Sequence, residues 1–296
     1  MVGLAPILGS AIGLFILVAW GLRYLQNRQT TQVTLDLQET DIKAPTVPIE
    51  GSPEASQQGA VLWPTEAIWQ VMVLWFSAFF GVSYVVMPLI VFLLGLKPEA
   101  FDGRMQGYFS LFTYTFLMAI GFSILQLSLQ RYIPNIFRWL KLRWSGRWLL
   151  WGLGGYFVAL PIVLIVSLLN QKLLQDQGGG NPILEIILQS RDGFTIGLLW
   201  FLVAVCAPLF EESLFRGFFL TSLTRYLATW QAIALSGFLF ALAHLNLGDL
   251  LPLTVLGMIL GFIYLRSRNL LASMLLHSLW NSGSFLGLLI LGSSNS

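Results

Sequence analysis

The chain has 296 residues, 56% of them apolar and only 10% Asp, Glu, Lys or Arg, with a formal net charge of +2. A soluble domain keeps about a quarter of its residues charged, so hydrocarbon must be the solvent for much of this chain. The basic residues form no stripe for nucleic acid, and the single cysteine, Cys206, excludes internal disulfides and CxxC-type metal or redox sites.

Stretches free of all four charged types are 1–22, 67–96, 105–130, 148–171, 193–210, 226–248, 250–265 and 269–296. A membrane span needs about 20 apolar residues. These runs predict an all-α, polytopic bundle of about eight transmembrane helices, or seven if the short seventh run is only re-entrant. The first run, residues 1–25 with its flank, lacks a charged leader and a good cleavage site, so a retained helix is expected rather than a signal peptide. Residues 26–64 carry Pro45, Pro48 and Pro53 among five acids and read as a polar, flexible linker. Residues 65–192 hold the second to fourth spans and their loops, and 193–296 the last four.

Lys and Arg give the expected orientation. With the 131–147 loop in the cytoplasm, eleven of them fall on that side with the 26–64 linker. Four fall on the other side, and Arg216 lies within the membrane. The 131–147 segment, which contains Trp139 and Trp144, could alternatively lie as an interfacial helix on anionic lipid. Gly178-Gly179-Gly180 follows no strand and reads as a connector, not a phosphate cradle. Cys206 lies in an apolar run and reads as a packing residue.

The chemistry-bearing residues gather in the last hundred. Glu211, Glu212 and Arg216 interrupt an otherwise apolar stretch, APLFEESLFRGFFL. Each costs at least about 2.5–3.5 kcal/mol at mid-membrane on insertion scales. Glu212 and Arg216 are spaced i,i+4 and can pair on one face. Glu211 lies about 100° further round and faces something else. A buried ion pair that fixes packing explains Glu212 and Arg216 but not Glu211.

Both histidines of the chain lie in later apolar runs. His244 shares a helix face with Phe240, and His277 with Asn281, each four residues apart. Polar groups in hydrocarbon need partners, and these can supply one another. At about 1.5 Å per residue, Glu211 and His244 lie roughly 21 Å, and His277 roughly 14 Å, from the cytoplasmic edge. The groups are able to meet.

EESLFR, FALAH and HSLWN, in that order, resemble the E-E-x-x-x-R, F-x-x-x-H and H-x-x-x-N motifs of the CPBP family of intramembrane proteases. That family is also called Abi or CAAX-processing type II proteases. The resemblance covers about 195–290 and extends to Gly217, Gly257 and Gly261. It implies a catalytic core that hydrolyses a peptide bond of a membrane-associated protein or peptide. By position, Glu211 would be the general base and His244 its partner in activating water. His277 and Asn281 would stabilise the oxyanion, and Glu212, Arg216 and Phe240 would support the site. The family is often labelled a metalloprotease, and Glu211, His244 and His277 are the candidate zinc ligands. A metal-free glutamate mechanism is preferred, because no HExxH is present and Asn is a poor zinc ligand. Two other readings remain: a non-proteolytic membrane partner such as a bacteriocin self-immunity protein, and a transporter or proton relay.

Overall fold

The computed structural model describes residues 63–133, 135, 136, 140, 142–174 and 192–293, in two compact units, 1–88 and 89–296. The predicted helix 1–22, the linker up to residue 62 and the glycine connector lie outside the described residues, as does most of the segment 134–141; Trp63, near the linker's end, is buried.

The described backbone forms seven helices: α1 Thr65–Leu93, α2 Gly103–Leu129, α3 Trp148–Leu174, α4 Gly193–Leu223, α5 Thr229–Leu242, α6 Leu250–Ser267 and α7 Leu270–Ser293. Each matches one of the uncharged runs. Among the described residues, α1 to α4 and the segment Leu247–Ser267 are long and apolar enough to cross a membrane. The protein is an integral membrane protein with an all-α bundle.

Helix α1 crosses the boundary between the two units. It contains a wide π turn over Val82–Val86, two residues before Pro88.

In the second unit, α2 and α3 lie outermost, with 17% and 22% of their apolar windows buried, against 44% for α4 and 39% for α6. The exposed faces of α3 carry Leu150, Phe157, Ile165 and Leu168, an apolar exterior that suits lipid rather than water. Helix α4 therefore sits inside the bundle, and it carries the charged stretch.

Local chemistry sets the ends of these helices. Asp102 caps α2 by accepting from the Met105 amide at 2.8 Å, and Asp192 caps α4 by accepting from the Thr195 amide and hydroxyl. Arg104 bridges to Asp192 at 2.8 Å, tying the starts of α2 and α4 together. That hydrogen bond, reinforced by Thr195, holds the Asp192 carboxyl well below the ordinary carboxylate range.

Small residues let α5 and α6 touch along their backbones. A Cβ on Gly237 would lie 2.8 Å from the Thr254 carbonyl, and one on Gly257 would lie 2.8 Å from the Gly237 Cα.

The sixth run departs from expectation. It is uncharged from 226 to 248, yet α5 ends at Leu242 after 14 residues, about 21 Å. Leu245 takes a left-handed φ of 53°, and the Asn246 side chain accepts from the Gly248 amide. Together they turn the chain into α6. The seventh run forms an 18-residue helix, so the short member of the pair is α5.

Candidate functional site

Helix α4 is not a regular α-helix where it matters. It widens into π turns over Leu202–Cys206 and Ser213–Leu220, on either side of Glu211 and Glu212. The first has an identifiable cause. Pro208 has no N–H to donate, and the Ala207 amide reaches back five residues to Leu202. The Val203 carbonyl is then left without a helical donor. Asn281 on α7 supplies one, its Nδ2 donating to Val203 O at 2.7 Å. Pro208 thus loosens the helix into a π turn held by a side chain from another helix.

The two glutamates face different neighbours. Glu212 and Arg216 pair at 2.7 Å with neither side chain exposed. Arg216 Nη2 donates onward to the Gly257 carbonyl at 3.0 Å, and its guanidinium lies 4.4 Å from the centre of the Phe240 ring. The guanidinium is thereby enclosed by a carboxylate, a carbonyl and an aromatic face, which together offset its burial. The close approach at Gly257 is what brings that carbonyl within reach.

Glu211 points elsewhere. Its Oε1 accepts from the Tyr114 hydroxyl on α2 at 3.1 Å. Its Oε2 is buried, makes no hydrogen bond, and lies 3.8 Å from His277 Nε2. That separation is too long for a direct hydrogen bond.

His277 joins the two carboxylates. It is buried, and its Nδ1–H donates to Glu212 Oε1 at 2.9 Å, which turns Nε2 toward Glu211. Phe240 packs edge-on against this imidazole at 5.5 Å and against that of His244 at 4.8 Å. His244 lies just beyond the end of α5. Its Nδ1 is 2.8 Å from the Phe240 carbonyl, which can only accept, so Nδ1 carries a proton and Nε2 is the acceptor nitrogen of the neutral ring.

The structure therefore gathers Glu211, Glu212, Arg216, Phe240 and His277 into one contiguous cluster. His244 joins it through Phe240, and the imidazole beside Glu211 is that of His277. Asn281 stands one turn beyond His277, with one amide hydrogen donated to Val203. Tyr114 is the member that the sequence reading missed.

Catalytic zinc needs three protein ligands. Among the described residues no three His, Cys, Asp or Glu are grouped to hold a metal ion.

The fold and the cluster define an integral membrane protein with a buried acid–imidazole site inside its helix bundle. Residues 193–283, about a third of the chain, match the family model described as "Type II CAAX prenyl endopeptidase Rce1-like". This match agrees with the resemblance of the EESLFR, FALAH and HSLWN motifs to the CPBP, or type II CAAX-processing, proteases. No curated protein and no solved structure matches the chain. The matched segment contains every cluster residue named above except Tyr114.

Proposed function

We propose that the chain is an intramembrane endopeptidase that hydrolyses a peptide bond of a membrane-associated protein or peptide, with Glu211 as general base. The observation that carries this reading is Glu211 Oε2. It is a buried carboxylate oxygen with no hydrogen bond, facing an imidazole at 3.8 Å. Glu212 Oε2 is likewise unbonded, but Glu212 carries the ion pair with Arg216 through Oε1. A packing role accounts for Glu212 and Arg216, and it does not account for the second carboxylate beside them.

In this reading Oε2 takes a proton from a water, and the resulting hydroxide adds to the scissile carbonyl carbon. The lone pair on His244 Nε2 helps hold that water. The developing oxyanion is stabilised by donors, and a fixed donor is worth most where bulk water is scarce. His277 can donate from Nε2 only when that nitrogen carries a proton in addition to the Nδ1–H that Glu212 accepts. Asn281 retains one amide hydrogen for the same purpose. Glu211 then returns its proton to the departing amine as the C–N bond breaks, leaving a carboxylic acid and an amine. No step is routed through a metal.

The charge asymmetry of the sequence supports an orientation with the 131–147 loop and the 26–64 linker on the cytoplasmic side. The Thr113, Thr115 and Ser123 hydroxyls of α2 donate to carbonyls of their own helix and form no polar path along it.

The test uses purified protein in detergent with a quenched membrane-peptide library. Glu211→Gln and His244→Ala, each folded as judged by thermal denaturation, are expected to lose at least about 100-fold in cleavage rate. Retention of the rate or of the cellular phenotype by both variants replaces the peptidase with a membrane scaffold. Chelation followed by metal analysis decides whether an ion takes part.

A further inference from the structure

Glu211 accepts a hydrogen bond from a described residue outside the family-matched segment, Tyr114 on α2, at 3.1 Å. Helix α2 is held against α4 on both sides of this contact. On one side the Arg104–Asp192 bridge joins the helix starts, and Gly107 is so close that a Cβ there would lie 3.3 Å from Thr195 and Leu198 side chains. On the other side Phe122 meets Phe210 edge-on at 5.3 Å. The register of the two helices is fixed, and the Tyr114 hydroxyl comes with it. Thr113 and Thr115, its neighbours in sequence, donate to carbonyls of α2 itself. Tyr114 instead donates across the helix pair to an ionisable group.

A carboxylate turns about a broad, two-fold terminal torsion, so an unrestrained Glu211 carboxylate has no fixed plane. With one oxygen held by the tyrosine hydroxyl, the other is left facing His277. We infer that Tyr114 is a positioning residue that fixes the plane of the Glu211 carboxylate and so directs its second, proton-accepting oxygen toward His277. This rests on the peptidase reading for its catalytic consequence, but the pairing itself does not.

The experiment compares wild type with Tyr114→Phe, which keeps the ring and removes only the hydroxyl. Hydrogen bonds to charged groups have contributions that correspond to about 10- to 100-fold in rate. Tyr114→Phe is expected to lower kcat by about that factor with KM unchanged and the fold retained. A tyrosine that serves only to pack would lose nothing in the phenylalanine variant, so full kcat in Tyr114→Phe overturns the inference. Infrared difference spectra of lipid-reconstituted protein supply a readout independent of turnover. The carboxyl band that disappears in Glu211→Gln should shift in Tyr114→Phe, and an unshifted band overturns the pairing. A wild type that cleaves nothing while the band still shifts retires the peptidase reading and leaves the pairing standing.

Discussion

Phe240 is the residue through which the cluster holds together. Its ring lies under the Arg216 guanidinium and meets both imidazoles edge-on, and its carbonyl fixes the His244 tautomer. The polar half of the cluster is equally interlocked, since Glu212 Oε1 accepts from both Arg216 and His277. Removing one partner of a buried ion pair leaves the other charge uncompensated, at a cost of about 3–5 kcal/mol. Glu212→Gln is therefore expected to destabilise the protein by about that amount in equilibrium unfolding from mixed micelles. Glu212→Gln combined with Arg216→Met should cost less than Glu212→Gln alone. A double variant less stable than the single one would show that the pair is not the interaction being lost. Glu212, Arg216 and the separate facing of Glu211 were legible in the sequence, because helical spacing puts i and i+4 together and i+1 aside. Tyr114 was not legible: it lies 97 residues from Glu211, and a tyrosine in an uncharged run reads as ordinary filling.

At the level of single elements, α4 shows how one missing hydrogen bond organises a helix pair. Pro208 deprives the π turn of a donor, and Asn281 makes good the loss at Val203. An orphaned buried carbonyl costs about 1–3 kcal/mol, so Asn281→Ala should destabilise by that amount in the wild-type background. In Pro208→Ala the backbone regains its N–H, and the further cost of Asn281→Ala should shrink. A double-mutant cycle that comes out additive would break this link. The proline was visible in the sequence as a helix perturbation, whereas its partner lay on another helix and was open only to the oxyanion role. The end of α5 was hidden for a different reason. Leu245 and Leu247 carry the apolar run straight through the turn, and only Asn246, Gly248 and Asp249 mark it.

For the whole molecule, composition alone dictated a membrane bundle, and all seven described helices coincide with uncharged runs. Packing order is what the sequence withheld. Uniformly apolar helices carry little contrast between their faces, so nothing in α2 or α3 announces that they lie outside while α4 and α6 form the centre. Inside that centre, α5 offers about 21 Å of helix where the hydrocarbon of a typical bilayer is about 30 Å thick. The chain after it, from His244 to Asp249, includes polar Asn246 and Asp249, which pair with each other, and Asn170 of α3 donates to the Gly248 carbonyl. Local thinning of the bilayer is one way a short helix is accommodated, and thinning beside this polar turn is expected to shorten the path from bulk water to His244. Lipid tail length then becomes a control on hydration of the site. Cleavage should slow as phosphatidylcholine chains are lengthened and quicken as they are shortened, at constant protein fold. A rate indifferent to chain length across a series of proteoliposomes would mean that the short helix is screened by protein and that water arrives by another route.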